Sequence, residues 1–211
     1  MNSLAKQTLA GLRILLVLTV LLGIVYPLGV WVVSRLPGLQ ANAEGSVVTR
    51  EGQAVGSDLI GIDPVAKDPT EDPWFHNRPS AVAVDLDGDG SADLLGPADP
   101  SISMGSNKGA FDEDLVAAIE ERREIVADRE GVRPDQVPAD AVTASASGLD
   151  PHISPAYARL QVARVAEVTG LPQDQVRRLV DEHTDGRGLG VLGEPGVNVL
   201  TLNLAVQDAS R

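Results

Sequence analysis

Two hydrophobic patterns divide the chain. From Ile14 to Val33 twenty consecutive residues carry no charged side chain. A helix of that length spans about 30 Å, the thickness of a bilayer's hydrocarbon core, so the pattern predicts a transmembrane helix over 14–33. Lys6 and Arg13 precede the run, Arg35 follows it, and Tyr26 and Trp31 suit an interface. That bias of basic residues puts segment 1–13 in the cytoplasm. The competing reading is a cleaved secretory signal, because Ala41-Asn42-Ala43 offers a small-x-small pattern. The run is longer than the roughly 7 to 15 apolar residues of such a signal, which favours a retained anchor. Under either reading, the chain beyond the linker 34–45 is extracytoplasmic.

Over 46–211 the apolar positions break into short pieces. Segments 46–50 and 54–60 read as strands around a Glu51-Gly52 turn, a hairpin signal. The Pro- and Asp-rich stretch 62–73 reads as loop, 74–84 ends in a short strand, and 85–108 is irregular. Leu115, Ala118, Ile119, Arg122, Ile125 and Val126 recur at spacings of three and four, which predicts a helix over 111–129 with Gly131 as its stop. Ser154 and Pro155 are the N-cap and first residue of a second helix that Gly170 closes, and a third runs from 172 to about 183. Residues 197–206, VNVLTLNLAV, alternate and are rich in β-branched side chains, which predicts a final strand. The expected fold class is α+β: one N-terminal transmembrane helix, then a single extracytoplasmic domain with a small mixed or antiparallel sheet and about three helices.

Composition removes several chemistries. The 211 residues include 17 basic and 30 acidic ones, for a formal charge of −13. With no basic run, nucleic acid is not an expected partner. All the acids lie beyond the apolar run, so the outer domain's surface attracts cations. Cysteine is absent, which excludes disulfides, a thiol nucleophile and Cys-type zinc sites. There is no G-x-x-x-x-G-K-[ST] phosphate loop, no G-x-G-x-x-G after a predicted strand and no G-x-S-x-G elbow. Asp150, His152 and Ser154 are too close in sequence to be read as a triad, and no catalytic residue is assigned. His76, His152 and His183 lack zinc-ligand spacing and read as structural hydrogen-bonding residues. Asp85, Asp87, Asp89 and Asp93 of DLDGDGSAD occupy positions 1, 3, 5 and 9 of a calcium loop, with Gly90 at position 6. Position 12 is Gly96 instead of Glu, so a calcium loop and a solvated acidic turn both stay open.

The remaining motifs share one likeness. Tyr26-Pro27 in the anchor, GSDLIG (56–61), WFHNRPSA (74–81), GSN (105–107), VPADAVTASASGLDPHISP (137–155), Gln161 with ARVA (163–166), and GEPGVNVLTLNLA (193–205) follow in order. Together they resemble the C-subunit family of the Kdp-type potassium-transporting ATPase. The resemblance implies a single-pass accessory subunit, needed for assembly, that acts as a catalytic chaperone raising the ATP affinity of a P-type B subunit. It implies no hydrolytic site and no intrinsic cofactor here. ATP and K⁺ would be handled by the B subunit and a channel-like, potassium-binding A subunit, with a small F subunit in the same complex. The loop to which the family ascribes ATP binding corresponds to Ser145, Ser147, Gly148, Leu149, Asp150, Pro151, His152, Ser154 and Gln161. Further motif residues are Gly56, Ser57, Phe75, His76, Arg78, Pro79, Ser80, Gly105, Ser106, Asn107, Asn198 and Asn203. Two departures stand out: the family has Gly where Ala146 stands, and 85–93 looks like an insertion, so Ca²⁺ binding would belong to this branch.

Because ATP is inside and the domain is placed outside, the domain is expected to act through subunit contacts. The loop before Ser154 is then a contact surface or a rigid corner, oriented by hydrogen bonding of His152. The alternative function is a membrane-anchored extracellular calcium-binding module without a pump partner. The calcium reading predicts binding at roughly 10⁻⁴ to 10⁻³ M. A calorimetric titration at millimolar Ca²⁺ that yields no binding heat removes it.

Overall fold

A computed structural model describes residues 3–86, 88 and 90–211 of the chain. It forms two compact units, 1–47 and 48–211. The first contains helix α1 (Ser3–Ser34), the one helix among the described residues that is long and apolar enough to cross a membrane. Residues Leu21–Val25 make a single π-helical turn in which the Tyr26 N–H donates to the Leu21 carbonyl, five residues back. Pro27 accounts for it: the ring has no N–H and crowds the carbonyl four residues earlier, and the wider turn absorbs the conflict. No residue of α1 is buried, so over the uncharged run 14–33 apolar side chains are exposed on every side, as in a helix solvated by lipid. After α1 the Arg35 guanidinium lies 5.4 Å from the Trp31 ring centre and pairs with Glu44, just past the short α2 (Gln40–Ala43).

The second unit is built from short strands and four longer helices. Strands β1 (Val47–Arg50) and β2 (Gln53–Ser57) form the predicted hairpin. Glu51 and Gly52 both take positive φ, 52° and 78°, matching the twist of the strands they join. The second strand stops at Ser57 instead of residue 60, because the Ile60 N–H turns back onto the Ser57 carbonyl at 3.2 Å. Helix α3 (Glu113–Glu130) starts where the Asp112 carboxylate accepts the Leu115 N–H at 3.1 Å and ends at left-handed Gly131. Strand β3 (His152–Ile153) leads through Ser154 into α4 (Pro155–Thr169), whose N-cap hydroxyl accepts the Tyr157 N–H at 3.0 Å. Helix α5 (Gln173–Glu182), strands β4 (Thr184–Asp185) and β5 (Gly196–Asn198), and helix α6 (Val199–Ala209) complete the chain. The three-stranded sheet has the order β3-β5-β4 and both pairings are antiparallel, with His152 opposite Asn198 and Thr184 opposite Val197.

The expected strand over 197–206 is a correction. Only its first two residues are extended, and the rest is helix. Asn198 makes the switch: its side chain accepts the Thr201 N–H at 3.1 Å, capping a helix instead of continuing a ladder. Buried Val199, Leu202, Asn203 and Val206 sit at spacings of three, one and three, which is one helical face. Short alternation and helical spacing share these positions, and the β-branched content favoured the wrong one. The short strand expected near the end of 74–84 is also reduced, to a single bridge between Ala83 and Ala98.

Helix α4 is central to the core. Its Tyr157, Ala158, Val162 and Val165 are buried together with Phe75, Val126, Val176, Val180, Val197 and Leu202. Leu202 comes from the helix that the sequence pattern hid, and it is fully buried. Leu202→Ala should destabilise the domain by about 2–5 kcal/mol, read as a lower urea midpoint for the full chain in detergent.

Candidate functional site

The motif residues converge on the segment 72–80, which crosses the interior without a strand neighbour. Asn203 of α6 accepts the Phe75 N–H at 2.8 Å and donates to the Phe75 carbonyl at 2.9 Å. Gln161 of α4 does the same for His76, accepting its N–H at 2.8 Å and donating to its carbonyl at 3.2 Å. Two side-chain amides thus supply what a neighbouring strand would. This is the physical reason the segment is not a sheet strand: its buried peptide groups are satisfied by helices.

Around these clamps lies a network of buried charge. The His76 ring bridges Asp63 at Nδ1, 2.9 Å, and Asp72 at Nε2, 2.5 Å. Arg164 donates to both Glu130 carboxylate oxygens at 3.1 and 3.2 Å, to the Asp72 and Trp74 carbonyls at 2.7 and 3.0 Å, and to Gln161 at 3.2 Å. Arg129 joins Glu130 at 2.8 Å to the Tyr157 hydroxyl at 2.9 Å. Burial works against charge on His76, but the Asp63 carboxylate and the hydrogen bonds to Asp63 and Asp72 outweigh both burial and the Arg129 charge, so its pKa is raised. Burial likewise opposes ionisation of Asp72, and the His76 contact reverses that, lowering its pKa. The two directions agree on an ion pair.

From His76 the segment runs outward under the loop 143–152. The Pro79 carbonyl accepts the Ser145 N–H at 3.0 Å, and the Ser80 hydroxyl donates to the Gly148 carbonyl at 2.8 Å. Gly148 needs its φ of 74°, and a Cβ there would come 2.7 Å from the Met104 carbonyl. A Cβ on Gly105 would come equally close to the Ala146 carbonyl. Asn107, with φ of 53°, donates to the Gly105 carbonyl at 3.0 Å, and Ser106 beside it is exposed. The Leu149 carbonyl accepts the Gly61 N–H at 2.8 Å, the Ser147 hydroxyl accepts the Leu149 N–H at 3.1 Å, and the Pro151 carbonyl accepts the Val199 N–H at 2.9 Å. Asn198 donates to the Asp58 carbonyl at 3.0 Å, which ties the end of the hairpin segment to α6. Gly56 of β2 packs its Cα side against Leu200 and Ile62, and the Ser57 hydroxyl accepts the Leu59 N–H at 3.1 Å.

Asp150 orders the corner. Its carboxylate accepts the His152 N–H at 3.0 Å and faces Arg78 at 3.5 Å, while the His152 ring lies 3.7 Å away, half exposed. Burial opposes the Asp150 charge, but the His152 contacts and Arg78 keep its pKa lowered, and the same contact with Asp150 raises that of His152. Ser154 donates to one Asp140 oxygen at 2.9 Å and its N–H to the other at 2.7 Å. The N–H groups of residues 145, 148, 149, 152 and 154 are therefore all committed within the domain. An anion cradle would need such donors unpaired.

Of the proposed calcium ligands, Asp87 and Asp89 lie outside the described residues. Asp85 accepts the Gly88 and Gly90 N–H groups at 2.7 and 2.9 Å, and Asp93 accepts that of Leu86 at 3.0 Å. Among the described residues no group of three or more His, Asp or Glu side chains is arranged to hold a metal ion. The His183 ring donates from Nδ1 to the Leu179 carbonyl at 2.8 Å. Sequence reasoning did not pick out Asp63, Asp72, Arg129, Glu130, Asp140 or Arg164. Asp140 and Arg164 did lie within quoted motifs, Arg164 three residues after Gln161 and hence on the same helix face.

Residues 8–208 match the protein family described as K⁺-transporting ATPase, c chain. The chain is 50% identical over 210 residues to the potassium-transporting ATPase KdpC subunit of Kineococcus radiotolerans, a match covering 100% of this chain and 97% of that one. It is 44% identical over 216 residues to the subunit of the same description from Streptomyces coelicolor, covering 96% and 92%. Against that of Mycobacterium bovis it is 46% identical over 203 residues, covering 95% and 97%.

The raised pKa of His76 sets a pH dependence. Its contribution to stability is complete below about pH 6.5, the unfolded-state value, and is lost as pH rises through the higher folded-state value. His76→Gln should remove that part of the slope of unfolding free energy against pH, leaving the part that His152, also raised, contributes. Urea titrations of the full chain at a series of pH values above 6 check this.

Proposed function

Since the chain belongs to the C-subunit family of potassium-transporting ATPases, we propose that it is a non-catalytic accessory subunit of an ATP-driven potassium uptake complex. In that complex it assembles with a channel-like A subunit, a P-type B subunit and a small F subunit. It promotes their assembly and raises the ATP affinity of the B subunit. The potassium ion and ATP are bound by those partners. Helix α1 is the membrane anchor, with residues before it in the cytoplasm and the domain outside. The effect on ATP is then exerted through subunit contacts and not by contact of the 145–154 loop with nucleotide.

The observation that carries this reading is the use of the motif residues. They come from separate stretches of sequence and hold one surface loop against the domain, with the N–H groups of residues 145, 148, 149, 152 and 154 directed inward. A nucleophile would need an adjacent general base, and a nucleotide site would need free donors or a dedicated Lys. A surface held in place by contacts from several elements suits recognition by another protein.

Affinity capture of the tagged chain from native membranes should bring down a P-type ATPase and a large polytopic subunit; capture without them overturns the proposal. In the purified complex, leaving this chain out should raise the ATP concentration for half-maximal hydrolysis several-fold. The chain has no cysteine, so Ala110→Cys, at an exposed position, provides a single label site. An impermeant maleimide should modify it in intact cells, and modification only after lysis overturns the orientation.

A further inference from the structure

Among the described residues, Arg122 is the buried cation left without a counter-ion. It sits on α3 at 9% exposure, with Nε donating to the Leu94 carbonyl at 3.0 Å and one terminal nitrogen to the Val142 carbonyl at 3.4 Å. The adjacent Glu121 charge acts on it without meeting it, and burial holds its pKa below the ordinary Arg value. This occurs in a chain with 30 acidic residues, where almost any other internal cation has found one. His76, Arg129 and Arg164 all have carboxylate partners.

Arg122 lines a cavity of about 390 Å³, walled also by Leu115 and Ala118 of α3, by Ala92, and by Met104 and Asn107 of the loop before it. That volume is at the low end for ligand-sized clefts, roughly 300–1,000 Å³. The other charged groups on the walls are already engaged. Lys108 holds Asp112 at 3.1 Å and Asp114 at 2.7 Å, and the Asp93 carboxylate accepts the Leu86 N–H at 3.0 Å. Met104 is half exposed, and Phe111, in the turn leading into α3, is 97% exposed. An unpaired buried guanidinium beneath apolar walls, with uncovered apolar side chains nearby, has the make-up of an interface hot spot.

We propose that this cavity receives an acidic side chain of a partner subunit, a Glu or Asp flanked by apolar residues, with its carboxylate seated on the Arg122 guanidinium. Arg presents a planar fork of donors that matches a carboxylate, and the pair strengthens when water is excluded. A free small carboxylate would satisfy the charge but leave Met104, a half-exposed wall of the cavity, uncovered, so the occupant is a protein segment. The assignment rests on the reading of this chain as a subunit of a transport complex.

The test uses the full chain co-expressed with the other subunits. A photo-cross-linking benzoylphenylalanine at Leu115 should capture a partner-subunit peptide containing an Asp or Glu among apolar residues. Arg122→Gln, and separately Ala118→Phe, which fills the cavity while keeping Arg122, should each speed dissociation of the chain from the immobilised complex by about tenfold or more. Arg122→Glu combined with charge reversal of the captured acid should restore the slow rate. If Arg122→Gln lowers the melting temperature of the chain, Ala118→Phe decides. Wild-type dissociation rates in the variants, or cross-links only to acid-free peptides, overturn the cavity assignment while the subunit reading stands. A wild-type chain that captures no transporter subunit overturns the subunit reading and this assignment with it.

Discussion

The backbone of Phe75 and His76 is the constraint around which the domain is organised. These residues run through the core with no strand beside them, and each unsatisfied buried peptide group would cost about 1–3 kcal/mol. Gln161 and Asn203 remove that cost with two hydrogen bonds apiece. The clamps also fix geometry. An amide can hold both the N–H and the carbonyl of one residue only at one height and one orientation, so α4 and α6 must meet the segment at consecutive residues. Their relative placement comes from that requirement as much as from the valines around it.

The charge network depends on the same placement. Arg164 is one helical turn beyond Gln161, so the clamp that holds His76 also directs Arg164 toward the Asp72 region and Glu130. Three acids, Asp63, Asp72 and Glu130, then face three cations, His76, Arg129 and Arg164. Such a set is not a large source of stability, because desolvation offsets much of the attraction. Removing one member, however, strands the others in a low-dielectric setting. Its effect is specificity: it joins the 62–73 loop, α3 and α4 in one arrangement. The continuation of the clamped segment, from Arg78 to Ser80, carries that arrangement to the surface loop.

What was legible in the sequence were features whose cause is local. Ser154, Pro155, Gly131 and Gly170 mark helix ends by chemistry acting within a few residues, and the structure puts them there. The Glu51-Gly52 turn is local in the same sense. The hidden features are those that need a distant partner. Nothing in the stretch before Arg78 itself signals that Gln161 and Asn203, 85 and 128 residues away, take its hydrogen bonds. Residues 199–206 look like a strand until Asn198 is recognised as a cap. The contacts of Arg164 span 34 residues to Glu130 and 92 to Asp72, spacings with no periodic signature. Arg122 gave a local hint, since it stands on the apolar stripe of its helix where a charge requires a reason.

The loop that the motifs build is not uniformly rigid. At its Ser154 end the bonds are short, 2.7 and 2.9 Å to Asp140. Under its first half, Arg78 reaches Thr143 and Ala144 only at 3.4 Å. There Arg78 Nε, Asn77 Oδ1 and Ser145 Oγ are buried without a hydrogen-bond partner among the described residues. Hydrogen bonds weaken steeply with such lengthening, so displacing the 143–147 half costs less than displacing the 150–154 half. A surface with one fixed end and one compliant end can hold its register while adjusting to what it meets. In a subunit that works by contact with larger neighbours, those two properties are needed together, and here they fall on opposite ends of a single loop.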